Sequence, residues 1–253
     1  MSRTHRAGMA VVIGALAIGA TATAQAQIQG MPLFTNPRYA TGLRVLADIG
    51  LPTSKTTSLG DYNVIQGGVS LAVWRLGISA NVGVTRNDLK GVTHDSAGAG
   101  TKATASALAQ LMVLGGGRSP WALSLFGGAS LDVNGFSFAN LSSLPTTVQD
   151  SIKSANPEVL TIPVGVALGL KLPLVIVNPN VWVAPRYTFT KIRNCPSCST
   201  DSEFRWAAGV DVPILRILSV RAAFDSGKIK GPNGVQTVSA FGVGASIGIG
   251  GVR

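Results

Sequence analysis

Charge is scarce in this chain. Asp, Glu, Lys and Arg together make up 13% of its 253 residues, against roughly 25% in a typical soluble domain. A soluble protein of this length covers its outside with such side chains. Here much of the outside is expected to face something other than water. Histidine is scarcer still, with two in the chain, His5 and His94. Neither a Gly-x-Ser-x-Gly elbow nor a cluster with metal-ligand spacing is present. Asp88 and Asp95 lie near His94, but no second acidic pair stands beside them, so the chemistry available for catalysis is thin. The expectation is a protein that is not an enzyme and needs no metal or cofactor. Past the first 26 residues, only Val159 to Val177 runs almost continuously apolar. Pro163, Pro173, Lys171 and the many Gly and β-branched residues argue against a membrane helix there.

What is present gives an address. Arg3, His5 and Arg6 precede an apolar run from Met9 to Ala20. Small residues then lead to Ala24-Gln25-Ala26, the pattern of a secretory signal with an A-x-A cleavage site. Residues 1–26 therefore read as a signal peptide and 27–253 as the mature domain. Cleavage would remove two arginines and no acid, taking the net charge from +10 to +8. The basic residues form no stripe and match no nucleic-acid motif, so nucleic acid is not an expected partner. Anionic lipid headgroups and lipopolysaccharide phosphates are the expected ones.

The mature domain is filled with segments that alternate apolar with small or polar residues. Ten can be placed, at 38–49, 62–74, 77–86, 103–114, 121–133, 159–171, 180–192, 203–212, 218–226 and 236–249. Tight connections such as Trp74-Arg75-Leu76-Gly77 and Gly115–Pro120 alternate with longer ones, of which 134–158 is the longest. A ten-residue strand at about 3.3 Å per residue, tilted about 45°, rises roughly 23 Å, close to the ~25 Å apolar band of a membrane barrel. Nine charges fall well inside these segments: Arg44, Asp48, Asp132, Arg186, Glu203, Arg205, Asp211, Arg221 and Asp225. All lie opposite the apolar face of their own strand. Lipid-facing Arg or Lys at mid-membrane would cost about 2–4 kcal/mol.

Export signal, alternating strands, unequal connections and a Gly-rich closing strand (Thr237–Ile249) together resemble the small outer-membrane β-barrel proteins of Gram-negative bacteria. The resemblance covers the whole mature chain and is one of architecture. It implies an all-β, closed antiparallel transmembrane β-barrel, with ten strands preferred and eight the alternative. It also implies an outer-membrane location. The chain departs from that pattern by ending Gly251-Val252-Arg253, where many members end in an aromatic residue.

Within that frame the nine charges form a lumen network. They could plug the barrel with salt bridges or line a narrow path for ions or small solutes. Small barrels have interiors just wide enough for side chains, which favours the plug. The function expected is structural or surface-interacting, with a narrow channel as the alternative and a catalytic rim at His94 a weaker one. A periplasmic soluble barrel or sandwich would instead need the apolar faces to pack inside. Tyr187, Phe189, Phe204, Trp206 and Phe224 fall toward the long-connection ends as an interfacial girdle. Trp74 and Trp182 point inward by parity, near the short turns. Cys195 and Cys198 are expected to form a small loop disulfide, since they are exported to an oxidising compartment and lack a βαβ setting for redox work. A short helix is expected around 147–154, in the longest connection, where surface ligands would bind.

Overall fold

The computed structural model describes residues 31–38, 41–53, 62–87, 100–116, 119–132, 137–138, 146, 158–174, 178–193, 200–215, 217–231 and 234–249. Among these are ten long strands: β1 (Gly42–Pro52), β2 (Tyr62–Val73), β3 (Leu76–Asn87), β4 (Gly100–Gly115), β5 (Trp121–Asp132), β7 (Val159–Lys171), β8 (Asn180–Ile192), β9 (Asp201–Pro213), β10 (Leu218–Gly231) and β11 (Gly234–Ile249). A two-residue strand, β6 (Ser137–Phe138), pairs with the start of β4.

Each long strand pairs antiparallel with its neighbours in the chain, and β5 pairs with β7 across the longest connection. β1 pairs with β11, and β3 pairs with β4. The sheet therefore closes on itself and leaves no long edge unpaired. No helix among the described residues is long and apolar enough to cross a membrane. Val159 to Lys171 is a strand with alternating burial, in keeping with Pro163 and its β-branched residues.

Alternation runs in one sense around the whole barrel. Val45, Ile49, Ile65, Val69, Val82, Leu125, Val164, Phe204 and Ile247 face outward and are 42–68% exposed. Asp48, Gln66, Lys102, Ser124, Arg186, Arg205 and Asp225 face inward and are buried. This is the reverse of a soluble protein, and it excludes the soluble barrel with an apolar interior. Water would not tolerate so broad an apolar belt, whereas hydrocarbon requires one. The fold is a closed antiparallel transmembrane β-barrel of ten strands, and eight is excluded.

Three differences from the sequence reading have a physical cause. β10 continues to Gly231 and β11 starts at Gly234. The polar stretch 227–235 is thus mostly strand, because ladder bonds are satisfied there without an apolar face. Trp74 does not point inward. It occupies the two-residue turn between β2 and β3 with φ 54°, and it is 78% exposed beside the Arg75 guanidinium. Strand parity ends at Val73, where the chain reverses, so it cannot be extended to residue 74. The third difference is at the start of the barrel. Residue 38 is not in β1, which begins only at Gly42.

Candidate functional site: an occupied lumen

Residues 31–38 (Met-Pro-Leu-Phe-Thr-Asn-Pro-Arg) lie inside the barrel and belong to no ladder. Two prolines explain why. Pro32 and Pro37 have no N–H to donate, so an apolar segment carrying both is a poor strand. Gly42, with φ 105°, sits where this segment gives way to β1. That left-handed conformation favours glycine.

The segment climbs from the short-turn end into the lumen. Arg38 anchors it at the rim, donating to the carbonyls of Ser119 and Trp121 at the β4–β5 connection. Asn36 hydrogen-bonds Asp211 on β9, and its carbonyl accepts from Gln110 on β4 at 3.0 Å. Thr35 is fully buried. Leu33 and Phe34 pack on an interior apolar patch of Phe126, Ala167, Trp182, Ala184, Ala207 and Ala223. The Leu33 N–H points at the Asp225 carboxylate, 3.4 Å away. Met31 ends the climb against Val64. The alanines matter because side chains that small cannot fill a ten-stranded lumen, and the inserted segment takes the space they leave.

Three charge clusters line the wall. Arg221 binds Asp48 in two places, at 2.7 and 2.6 Å, and Gln66 donates to the same carboxylate at 2.9 Å. The two strands involved, β1 and β10, are not neighbours. Between them stands Gly244 of β11, opposite both residues in register. A Cβ there would lie 1.8 Å from the Asp48 carboxylate, so glycine leaves the gap that the ion pair crosses. The Arg221 guanidinium also stacks over Phe34, 4.4 Å from the ring centre.

In the second cluster Asp225 receives Arg186 at 2.5 Å and Arg205 at 2.9 Å, with all three side chains almost fully buried. Glu203, two residues along β9, is also buried. Arg205 lies across Gly227, where a Cβ would come within 2.4 Å of its chain. The third cluster joins Lys102 to Asp132 at 2.5 Å, with Thr104 donating to the same carboxylate. Lys102 falls just before the segment expected from sequence, and β4 begins two residues earlier than it, which brings this lysine into the lumen.

All nine sequence-identified lumen charges point inward, but they act in separate groups. Arg44 donates to the hydroxyls of Ser219 and Ser246 and to the Ser246 carbonyl. Asp211 receives the Trp182 indole N–H at 2.7 Å, and Trp182 is buried as parity predicts. Tyr187, Phe189, Phe204 and Trp206 are exposed on the outer surface, with Phe224 half-buried against Trp206. Tyr187 meets Phe204 edge-on across the β8–β9 pair. Cys195, Cys198, His94, residues 147–154 and the expected signal segment 1–26 lie outside the described residues.

Sequence reading missed residues 31–37 and took residue 38 as strand. The signal was available: an apolar tetrad containing Pro32 and followed by Pro37, just before the first alternating strand, together with the inward alanines of β7–β10. Between the segment and the β2–β4 wall remains a cavity of about 250 Å³.

The class defined by this geometry is a small transmembrane β-barrel whose lumen is filled by its own chain and by paired charges. It is similar to known membrane barrels. The translocator domain of the autotransporter NalP from Neisseria meningitidis is 11% identical, with 85% of this chain and 91% of that one covered and a TM-score of 0.44. The β domain of the Bordetella autotransporter BrkA is 12% identical, with 83% and 100% covered and a TM-score of 0.46. The outer membrane phospholipase A of Escherichia coli is 12% identical, with 83% and 93% covered and a TM-score of 0.33. At such identities the likeness is one of fold alone. No protein family and no curated protein matches the sequence.

Proposed function

We propose that this is an exported barrel of the Gram-negative outer membrane that is closed to ions at rest and serves a structural or surface-interaction role. One observation carries the reading: residues 31–38 occupy the lumen, with Phe34 under the Arg221–Asp48 pair. An interior already narrow for ten strands is blocked by backbone as well as side chains. Its expected partners are outer-membrane lipid and lipopolysaccharide, the first met by the apolar belt.

A non-enzymatic role agrees with how the carboxylates are used. Asp48, Asp132, Asp211 and Asp225 each accept from a partner within the wall or the inserted segment. A general acid or base needs a carboxylate within reach of a substrate proton. Among the described residues no three His, Cys, Asp or Glu side chains gather to hold a metal.

Reconstitution of the folded protein in a planar bilayer tests the reading. Silence across a potassium chloride gradient is expected, alongside a heat-resistant band on gels. Regular single-channel steps from the intact chain would instead establish the narrow channel.

A further inference from the structure

We propose that residues 31–38 are a removable stopper, and that their withdrawal opens a path for small ions along the β2–β4 wall. The proposal rests on the closed-barrel reading and extends it.

The segment can leave without unzipping the barrel. It takes part in no strand pairing, and closure of the wall runs through β1–β11 and β3–β4 instead. Its polar ties are few: Arg38 at the rim, Asn36 to Asp211 and Gln110, and the long contact from the Leu33 N–H. The apolar patch beneath Leu33 and Phe34 is the main hold.

The cavity beside the segment is lined by Ser70, Ser79, Asn81 and Ser106 from β2–β4 on one side and by Arg44, Arg221 and Asp211 on the other. After withdrawal Asp48 keeps Arg221 and Gln66, and Asp225 keeps two arginines. Asp211 loses Asn36 and keeps the Trp182 N–H, while the Arg44 guanidinium, bonded to Ser219 and Ser246, attracts it. The opened path is thus polar and carries both signs of charge, with Arg44 and Asp211 facing it.

Bilayer recordings in a potassium chloride gradient test this with three proteins: the intact chain, the chain lacking 31–38, and the full-length Phe34→Ala/Asn36→Ala variant. The intact chain should stay silent. The deletion should give regular steps, and the double variant should open intermittently. Adding Arg44→Ala to the deletion should move the reversal potential toward the potassium side. A deletion variant that is folded, heat-resistant and silent would overturn the stopper. Steps whose reversal potential is indifferent to Arg44→Ala would overturn the path along this wall. Loss of the folded form in both variants would make the segment part of the core, and would overturn the proposal too. Steps already present in the intact chain and unchanged by the deletion would remove the closed-barrel reading as well.

Discussion

Arg186 and Arg205 stand directly opposite one another in the β8–β9 register, two like charges at one rung, and both reach Asp225 on β10 at 2.5 and 2.9 Å. Like charges placed opposite each other on a sheet repel. The shared carboxylate offsets that repulsion inside a wall where neither guanidinium meets bulk water.

Asp225→Asn should therefore be among the most destabilising changes in the barrel. It leaves two buried cations facing each other, and breaking a buried pair by removing one partner typically costs about 3–5 kcal/mol. The mutant should unfold at clearly lower urea concentration. A midpoint equal to wild type would show that the arginines are solvated in the lumen.

Gly244→Ala should act through Asp48. The added methyl would meet the Asp48 carboxylate and the Ala47 carbonyl, forcing Asp48 away from Arg221. Overpacking of this kind costs about 1–3 kcal/mol. In an Asp48→Ala background the same substitution should cost much less. Equal losses in both backgrounds would locate the strain in the backbone.

The Asp48–Arg221 pair also separates a plug from a path. Arg221→Ala should lower heat resistance while the intact chain remains electrically silent, because Phe34 still fills the lumen. Currents appearing with Arg221→Ala alone would make this ion pair, rather than the inserted segment, the barrier.

Membrane embedding predicts a sidedness. Val69 faces outward near the middle of β2, and Ser70 beside it faces the lumen cavity. Val69→Arg should cost about 2–4 kcal/mol in bilayers and reduce assembly. Ser70→Arg should assemble nearly as well as wild type. If both variants behaved alike, the inside–outside assignment of β2 would fail.

Sequence alone determined the wall. The alternation of faces and the inward placement of Arg44, Asp48, Arg186, Arg205, Arg221 and Asp225 follow from a period of two, because each residue's face is set by its neighbours along the chain; closure at ten strands and not eight did not. Tertiary structure alone decided what the lumen contains and which charges meet. The Asp48–Arg221 pair spans 173 residues and depends on the missing side chain of Gly244. Residues 31–38 have no periodicity to read, since their contacts come from β2, β4, β5 and β7 to β11 only after closure. Trp74 marks the same limit from the other side, because a turn breaks the parity that strands obey. Local spacing fixes which way a side chain points, and only the closed barrel fixes what stands across from it.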